Sequence, residues 1–559
     1  MKHTVENAIL GAVETLLKTK WEISELPRFD VEAPKNEAHG DLATNLAMLL
    51  ARPLKRAPRR IAEEIVEEIT GNSSDLFESV QIAGPGFINF RFSNAFWHEN
   101  LYKILHKDRL YLRRNIGEGR RVQVEFVSAN PTGPLHIGHG RGAAVGLALS
   151  NLLEAAGYKV EREFYINDAG RQVGLLGLSV YVRYQQVLGS KIELPENAYQ
   201  GDYIGEAAEA LIAEIGKKYL DVPFDKCGED ITDWSYRRML AEIKTDLENF
   251  GIRFDSWKSE KSLYAANEVQ NALDALKEKG YLYEHDRALW FKSSSFQDDD
   301  KDRVVVKQDG EYTYFASDIA YHKDKLDRGY DYIIDIWGAD HHGYIARISA
   351  VLQAFGYDKD RFQVILVQIV SLLRKGLPVK MSKRSGEFIT LREVVDEVGA
   401  DITKFIFLTR RSDSHLDFDI ETAKQQSSEN PVFYVQYAHA RINSIFRQAP
   451  AKGFSNVDRN NMQDIDVSRL TEPEELGLIR KLCTYPMIFE AAARAYEPHR
   501  ITFYLQELAG LFHSYYRKHR ILVEDDREQA LARMTLARAV EIVLHEGLTI
   551  LGVQAPEKM

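Results

Sequence analysis

The sequence predicts a multidomain α/β protein: a Rossmann-type parallel sheet with insertions, an N-terminal α/β module before it and an all-α C-terminal bundle after it. Three observations predict this fold class. The chain has 559 residues, which is too long for a single hydrophobic core. From residue 121 onward, apolar strand-like runs alternate with helical patterns, which is typical of βα units. After about residue 400, strand signals fade and helical patterns dominate.

The first segment, residues 1–115, is predicted to form a separate α/β module. It opens with an amphipathic helix, and helical patterning returns at 41–50 and at 60–69. The run VQIAGPGFINFRF follows, with alternating apolar residues and a Gly-Pro-Gly interruption. Strands and helices together therefore favour an independent α/β unit at this end of the chain.

The central segment, residues 116–400, is predicted to hold the parallel sheet. VQVEFV is strand-like, a helix is expected over 138–156, and the run at 159–166 completes one βαβ unit. A helical, charge-mixed insertion is expected near 172–285, after which the βα pattern resumes with YIIDIWGADHHGY and FQVILVQIV. Residues 401–559 are then predicted to form the helical bundle.

Composition restricts the class of protein. No run approaches the roughly 20 apolar residues that span a bilayer, and the N-terminus lacks the features of a signal peptide. The two cysteines, Cys227 and Cys483, lie far apart, which argues against a disulfide scaffold and a Cys-rich zinc site and fits a reducing cytoplasm. We therefore expect a cytoplasmic protein without membrane or zinc. The net charge of −11 leaves RNA binding open, because binding depends on a local basic patch.

The first motif that carries chemistry lies within VEFVSANPTGPLHIGHGRG. His136 and His139 stand at the start of a predicted helix, where backbone N–H groups and the helix dipole favour anions. Gly138 has no side chain, so a nucleotide can approach the backbone closely. The lead-in, which ends at Pro134, places the histidines between a strand and a helix. Helix capping by a His-x-x-His pair is the alternative interpretation.

The second motif is a loop of two lysines within LPVKMSKRSGEF. Lys380 and Lys383 flank Met381 and Ser382, and the loop falls between a predicted strand and a helix that begins near residue 391. Lysines in a Ser/Gly loop suit contacts with triphosphate oxygens that strengthen in the transition state. An exposed basic loop is the alternative, which the position between strand and helix disfavours.

Together, in this order, the two motifs resemble the nucleotide-handling motifs of class I aminoacyl-tRNA synthetases. The surrounding FYINDAGRQ, GPGFINF, YFASDIAYHKDK, WGADHHGY, NPVFYVQYAHARI and APEKM are similar to the arginyl-tRNA synthetase family over nearly the whole chain. The resemblance implies an arginine–tRNA ligase that activates L-arginine with ATP and Mg²⁺ to arginyl-adenylate and transfers it to the 3′ end of tRNA(Arg). Several family members have a degenerate lysine motif, whereas this chain retains both lysines.

The resemblance also implies residue roles. The catalytic residues are expected to be His136, His139, Lys380 and Lys383. The ATP-binding residues are expected to be Pro134, His136, Gly138, His139, Gly338, Asp340, His341, Met381 and Ser382. Zinc is not expected, although the chain has paired histidines at 341–342, because no third ligand stands at metal spacing.

Arginine recognition has a physical requirement of its own. A guanidinium is planar and always charged, so carboxylates that accept paired N–H bonds hold it best. By the family pattern, the arginine pocket is expected to contain Glu125, Ser128, Asn130, Tyr314, Asp318 and Asp340. Asp318 is expected to hold the guanidinium, with Tyr314 beside it and Glu125 near the α-amino end. A helix N-cap is the alternative role for Asp318.

Contacts with tRNA are expected at both ends of the chain. The resemblance implies that the N-terminal module touches the outer corner of the tRNA and that the bundle is an anticodon-binding domain. Tyr434, Tyr437, His439 and Arg441 combine aromatic rings with basic groups and could stack on unpaired bases; helix-core packing is the alternative. The expected partners are thus tRNA(Arg), L-arginine and ATP, with no DNA and no membrane, and the enzyme is expected to be a monomer.

Two other functions are compatible with parts of the sequence. A small-molecule nucleotidyltransferase can share the His-x-Gly-His loop, but it needs neither the lysine loop nor a helical bundle. The other function is that of an inactive paralogue serving as an RNA-binding or regulatory module. Loss of His139 or Lys383 would favour this interpretation, and both residues are present.

Overall fold

The computed structural model describes residues 1–559 without 24, 33, 35, 37–38, 73–74, 297–298, 380–388, 428 and 463, and without the side chains of 72 and 107–110. The strands are Val31–Glu32 (β1), Leu42–Thr44 (β2), Phe77–Ala83 (β3), Phe87–Phe92 (β4), Arg121–Glu125 (β5), Lys159–Ile166 (β6), Ser256–Ser259 (β7), Leu282–His285 (β8), Ala288–Phe291 (β9), Arg303–Val306 (β10), Tyr332–Gly338 (β11), Phe362–Val367 (β12), Val370–Arg374 (β13), Leu377–Pro378 (β14) and Leu416–Asp419 (β15).

Helices surround and follow these strands. The helices are Lys2–Thr19 (α1), Leu46–Leu54 (α2), Pro58–Asn72 (α3), Asn94–Leu112 (α4), Ile137–Ala155 (α5), Arg171–Val187 (α6), Asp202–Ile215 (α7), Phe224–Asn249 (α8), Glu260–Ala265 (α9), Glu268–Glu278 (α10), Tyr314–Asp327 (α11), Ile345–Phe355 (α12), Leu391–Val398 (α13), Ala400–Phe407 (α14), Ile420–Ala423 (α15), Pro431–Gln448 (α16), Pro473–Ala495 (α17), His499–Lys518 (α18) and Arg527–Ile550 (α19). In the described part of the chain, no helix is both long and apolar enough to cross a membrane.

The N-terminal module is a four-stranded antiparallel sheet in the order β1-β2-β4-β3, with α1 packed on α3. The sequence prediction of a helix over 41–50 was wrong at its start. Leu42 pairs with Phe90 in the sheet, and the Asp41 carboxylate accepts a hydrogen bond from the backbone N–H of Phe92 (2.8 Å). Sheet pairing thus overrides the local helical pattern there, and the helix begins only at Leu46.

The central sheet is parallel throughout, in the order β12-β11-β5-β6-β7, which confirms the predicted fold class. Helix α5 connects β5 to β6 as the predicted βαβ unit, and α5 is buried along most of its length. Strand β7 lies within the segment that was predicted as a helical insertion, and it forms one edge of the sheet. In the register of the two central strands, Glu125 on β5 stands directly beside Asp335 on β11.

The predicted single strand FQVILVQIV is two strands of different sheets. Strand β12 belongs to the central parallel sheet, whereas β13 pairs with β14 and with β15 in a separate three-stranded sheet. The break falls at Gln368, whose backbone N–H donates to the carbonyl of Ser412 (2.8 Å). The chain therefore leaves the catalytic sheet before it reaches the lysine loop.

Helix α4 joins the N-terminal module to the rest of the protein and packs on α17 and α19 of the bundle. The Tyr102 hydroxyl donates to the carbonyl of Ile465 (2.8 Å), and the ring of His98 contacts the carbonyl of Leu470 (3.0 Å). Near its end, Arg113 Nε donates to the buried carboxylate of Glu546 (2.7 Å).

Arg141 on α5 ties the catalytic sheet to the segment that leads into the bundle. Its side chain is fully buried, and burial lowers its pKa to about 10. The guanidinium donates to the carbonyls of Gln368 (2.9 Å), Ser414 (2.7 Å) and Arg411 (2.8 Å). One side chain therefore closes the junction between β12 and the following helices.

Substituting this arginine is expected to destabilise the protein. Arg141→Met keeps an apolar stem but leaves three carbonyls without this donor, and each unsatisfied buried group costs about 1–3 kcal/mol. We expect the thermal unfolding midpoint to fall by about 3–6 °C. Arg494→Met, at an exposed arginine with an i,i+4 partner, is the control and should shift it by less than about 1 °C. Equal midpoints for the two variants would contradict this role.

Candidate active site

The candidate site lies at the carboxyl ends of the two central strands, the usual position of a ligand crevice in a parallel α/β sheet. Strand β5 ends at Glu125 and β11 ends at Gly338, so the residues that follow each strand meet at one edge. His136 precedes α5 and lies at the same edge. The sheet thus brings together the histidine motif, the Gly338 segment and the predicted arginine pocket.

The two histidines of the first motif cap α5 reciprocally. His136 Nδ1 accepts from the backbone N–H groups of Gly138 (3.1 Å) and His139 (3.4 Å), and His139 Nδ1 accepts from that of His136 (3.3 Å). The rings stack with centroids 3.7 Å apart. Because each Nδ1 is an acceptor, the proton of each neutral ring resides on Nε2. The cap engages Nδ1 of each ring, so capping by itself does not exclude a ligand contact.

The chain that follows the lysine loop contacts the histidine motif. Thr390 forms an antiparallel bridge with His136, and the backbone N–H of Leu391 donates to the carbonyl of Leu135 (2.7 Å). Thr390 also caps α13 in a reciprocal capping box with Glu393. Lys380, Met381, Ser382 and Lys383 themselves lie outside the described residues.

A strained turn follows β5 and orients Ser128, one of the predicted pocket residues. Val127 and Ser128 have φ angles of +68° and +39°, and the N–H of Ser128 donates to the carbonyl of Phe126 (3.0 Å), as in a γ-turn. A β-branched residue at positive φ is costly and clusters at functional sites. The turn orients the Ser128 hydroxyl so that it donates to Glu125 Oε1 (2.8 Å). Ser128 Oγ in turn accepts a hydrogen bond from the backbone N–H of Tyr165 (3.1 Å).

Three carboxylates approach one another at the floor of the crevice. Asp318 accepts a hydrogen bond from the Tyr344 hydroxyl, and burial raises the pKa of this carboxyl despite that bond. Burial raises the pKa of Glu260 and the charge of Asp318 raises it further, against a hydrogen bond from Ser317 that lowers it. The second oxygen of this carboxylate, Oε2, has no partner among the described residues. The pKa of Tyr165 is raised by burial and by the charges of Glu260, Asp318 and Glu125. This floor is strongly negative and is suited to a cation.

The remaining predicted residues form the rim. Tyr314 is 65% exposed, and a Cβ atom on Gly170 across the crevice would lie 3.8 Å from its hydroxyl. Asn130 Nδ2 donates to Gln172 Oε1 (2.8 Å). Asp340 is exposed in a short 3₁₀ helix after β11, where it pairs loosely with His341 (3.8 Å). In the part of the chain that the structure describes, no three His, Cys, Asp or Glu side chains gather as metal ligands.

The structure corrects the helix N-cap alternative for Asp318 and adds residues that the sequence did not indicate. Thr313 is the N-cap of α11, so Asp318 lies inside the helix, on the face toward the sheet. Glu260 and Tyr344 complete the negative floor. The signal for Glu260 was its position directly after a strand, but strand β7 was not recognised in the sequence.

In the bundle, an arginine lies between two exposed tyrosines. The Arg441 guanidinium is 4.4 Å from the ring centroid of Tyr437 and 4.8 Å from that of Tyr516. Arg441 also donates to His513 Nδ1 (3.1 Å), and His513 Nε2 donates to the carbonyl of Tyr434 (3.0 Å). Tyr434, Tyr437 and Arg441 thus share one face of α16 and form an aromatic and cationic surface.

The structure places His439 apart from that surface. Its side chain is buried on another face of α16, Nδ1 contacts the carbonyl of Pro556 (2.9 Å), and burial lowers its pKa. It lines a cavity of about 440 Å³ together with Arg459, Arg538 and His545. His439 therefore does not belong to the surface that contains Tyr437 and Arg441.

Comparison with known proteins agrees with this architecture. The model described as tRNA synthetases class I (R), catalytic domain, matches residues 100–445, which defines a class I aminoacyl-tRNA synthetase. The arginyl tRNA synthetase N terminal domain matches residues 2–92, and the DALR anticodon binding domain matches residues 435–559. The chain therefore belongs to the arginyl-tRNA synthetase family.

Relatives match over the full length. The chain is 51% identical to the arginine–tRNA ligase of a Geobacter species, covering 100% of both chains, and 47% identical to that of Bacillus licheniformis, covering 96% of each. The structure of Thermus thermophilus arginyl-tRNA synthetase has the same fold, with a TM-score of 0.75, 21% identity and full coverage of both chains. These matches confirm the predicted family and the predicted activity of an arginine–tRNA ligase.

A glycine in α5 provides a test of the contact between the two motifs. A Cβ atom on Gly140 would lie 2.6 Å from Leu391 Cδ1 and 3.2 Å from Phe407 Cε2, and both side chains are buried. We expect Gly140→Ala to slow arginine-dependent ATP–pyrophosphate exchange, measured with tRNA present, by about 10-fold because it displaces the segment after the lysine loop.

Gly142 in the same helix is the matched control. A Cβ atom there meets nothing within 4 Å. Gly142→Ala should keep the exchange rate, and its unfolding midpoint should stay equal or rise because Ala favours a helix by about 0.5–1 kcal/mol over Gly. Equal exchange rates in the two variants would show that α5 and α13 need not be closely packed for activity.

Proposed function

We propose that this arginine–tRNA ligase binds the guanidinium of L-arginine at the negative floor, between Asp318 and Glu260. The observation that carries the proposal is the buried Glu260 Oε2, which lacks a partner among the described residues, in a carboxylate whose pKa the half-buried Asp318 raises through its charge. Burying such a group is costly unless a ligand satisfies it. A guanidinium supplies paired N–H donors and a permanent charge, which match two carboxylates.

The other end of the amino acid is assigned to the turn after β5. We infer that Glu125, Ser128 and Asn130 form the polar wall for the α-amino group, while Tyr314 covers the side chain from the rim. Support comes from the hydrogen bond between Ser128 and Glu125 (2.8 Å), which holds the carboxylate at the end of β5. The α-carboxylate is then directed toward the histidine motif, where ATP binds.

We assign ATP to the entrance of α5 and to the segment after β11. Pro134, Gly138, Gly338, Asp340 and His341 offer backbone and polar groups to adenosine, and the tautomer of His136 and His139 supports Nε2–H donation to phosphate oxygens. ATP enters as its Mg²⁺ complex, which neutralises part of the triphosphate charge. Met381 and Ser382 complete the nucleotide contacts in this assignment, with the two lysines on the leaving phosphates.

The reaction then follows from this arrangement. The arginine carboxylate attacks the α-phosphorus, a new bond from carboxylate oxygen to phosphorus forms, and the bond to pyrophosphate breaks. Negative charge accumulates on pyrophosphate, where His136, His139, Lys380 and Lys383 stabilise it. In the second step, a ribose hydroxyl of the terminal nucleotide of tRNA(Arg) attacks the adenylate carbonyl and AMP leaves.

We infer that residues 1–115, 116–400 and 401–559 act as three domains of a cytoplasmic monomer. Both cysteines are free and buried, which suits a reducing compartment.

The pocket assignment predicts a loss of arginine use at one carboxylate. Asp318→Ala removes the charge that pairs with the guanidinium, and we expect kcat/KM for arginine in aminoacylation to fall at least about 100-fold, or about 3 kcal/mol. Asp327→Ala, in the same helix but paired with Lys323 at the surface, is the control and should change it less than about 2-fold. Near-parent arginylation by Asp318→Ala, with an unchanged unfolding midpoint, would refute the assignment.

We propose that the surface formed by Tyr434, Tyr437 and Arg441 stacks on unpaired anticodon bases, and that His439 contributes only to the neighbouring polar cavity. Exposed tyrosine rings held flat by a guanidinium are suited to this task, because each base offers a π-face. The exposure of Tyr437 and Tyr516 supports this assignment.

This assignment predicts an effect on tRNA alone. Base stacking contributes about 1–3 kcal/mol per base, so Arg441→Gln, which releases both rings, should raise KM for tRNA about 10-fold while KM for arginine and for ATP stays constant. Arg494→Gln on α17, an exposed arginine paired with Glu490, is the control for charge and should have a much smaller effect. Equal KM for tRNA in the parent enzyme and Arg441→Gln would exclude this surface.

A further inference from the structure

Beneath the proposed arginine pocket lies a row of buried charges that the reaction itself does not use. Glu125 and Asp335 stand side by side on neighbouring parallel strands, and both are buried. Between them lies Lys325 of α11, whose side chain is fully buried. Its Nζ donates to Glu125 Oε2 (2.6 Å) and to Asp335 Oδ1 (2.7 Å).

The ammonium of Lys325 makes this pairing of carboxylates possible. Two like charges in contact cannot both stay ionised in a buried site unless a cation compensates them. Burial pushes the pKa of Asp335 upward, but Lys325 and His322 outweigh burial and hold it below its ordinary value. For Glu125, burial prevails and raises the pKa against the attraction of Lys325. The ionised form of Glu125 therefore depends strongly on this lysine.

Lys325 and Ser128 fix the Glu125 carboxylate from opposite sides. Oε2 accepts from the lysine below, and Oε1 accepts from the Ser128 hydroxyl on the pocket side. Lys325 also stands 4.5 Å from the ring centroid of Tyr321, which lies on the same helix. The lysine thus determines both the charge and the orientation of the carboxylate at the end of β5.

His322 connects the first turns of α11, through the backbone of Asp318, to the Asp335 carboxylate that Lys325 also contacts. Its Nδ1 is 2.8 Å from the backbone carbonyl of Asp318, and its Nε2 is 3.1 Å from Asp335 Oδ2. The ring therefore bridges the backbone of α11 and the carboxylate of Asp335. The helix turn that carries Asp318 is in this way tied to strand β11.

We propose that Lys325 and His322 are positioning residues for arginine recognition: Lys325 compensates and orients the Glu125 carboxylate, and His322 holds the Asp318 turn against β11. The inference rests on the proposed function, in which Glu125 and Asp318 line the arginine pocket. Neither residue touches substrate; each acts through a carboxylate or a backbone carbonyl that faces the pocket. Their loss should therefore weaken arginine binding without impairing ATP binding.

The first experiment compares the buried Lys325 of α11 with the half-buried Lys258 of β7, which pairs with the same helix. Lys325→Met removes the ammonium at similar volume, and we expect KM for arginine in aminoacylation to rise about 10- to 100-fold with KM for ATP within about 2-fold. Lys258→Met removes a lysine that pairs with Asp324 on the same helix (2.9 Å) but touches no pocket carboxylate. Its KM for arginine should stay within about 2-fold of the parent value.

A compensating variant separates positioning from general packing. In Lys325→Met/Asp335→Asn, Glu125 no longer faces a second carboxylate, so KM for arginine should recover at least about 3-fold relative to Lys325→Met. Where the single variant does not fold, the double variant should fold and keep KM for arginine within about 10-fold of the parent. No recovery, or KM for ATP rising in parallel with that for arginine, overturns the proposal.

His322→Gln tests the second half of the inference. A glutamine amide can donate to Asp335 but cannot also bond the carbonyl of Asp318, so KM for arginine should rise about 3- to 10-fold with KM for ATP unchanged. An unchanged KM for arginine in this variant overturns the role of His322.

Glu125→Gln distinguishes failure of this inference from failure of the proposed pocket. If Glu125→Gln leaves KM for arginine unchanged, the pocket assignment of Glu125 fails and the positioning role fails with it. If Glu125→Gln raises KM for arginine and Lys325→Met does not, the pocket stands and only the positioning role is wrong. A rise of KM for arginine in both variants is the expected result.

Discussion

The contact of Lys325 with two carboxylates is the interaction on which the centre of this enzyme depends. Parallel pairing of β5 and β11 sets Glu125 beside Asp335, and that register is tolerable because an ammonium lies between them. The ammonium belongs to α11, so the same contact seats the helix on the sheet. Helix α11 also carries Asp318, so the packing of this helix on the sheet also sets the shape of the proposed amino-acid pocket.

A second charged group continues this arrangement along α11. Glu163 on β6 is buried and accepts hydrogen bonds from Arg328 (2.9 Å), Tyr321 (2.7 Å) and Gln123 (2.8 Å). Burial would raise the pKa of Glu163, but Arg328, Lys325 and Tyr321 together lower it, and Arg328 contributes most among them. The helix is therefore held to β5, β6 and β11 by oriented polar contacts as well as by apolar packing. Such contacts fix rotation about the helix axis more tightly than hydrophobic burial does.

The sequence allowed the fold class, the βαβ unit around α5 and the family to be predicted, because local signals and tertiary pairing agree there. A strand-like run, a Pro/Gly loop and a helix start follow one another before and after His136. The prediction failed where pairing partners decide. Strand β7 is four residues long and partly polar, and it becomes a strand only beside β6, so Glu260 was missed. Glu125, one of the two carboxylate partners of Lys325, lies 200 positions away in the sequence, and no local pattern indicates this contact.

Helix α4 has a mechanical consequence. It leaves the N-terminal sheet, contacts the loop at 465–470 through Tyr102 and His98, and ends with Arg113 on the buried Glu546 of α19. A module joined by a linker without tertiary contacts could change its orientation freely, whereas this module is connected through a helix that contacts the C-terminal bundle. A change in the angle between the module and the bundle would therefore require these polar contacts to break. Helix α4 thus couples the orientation of the two ends of the polypeptide.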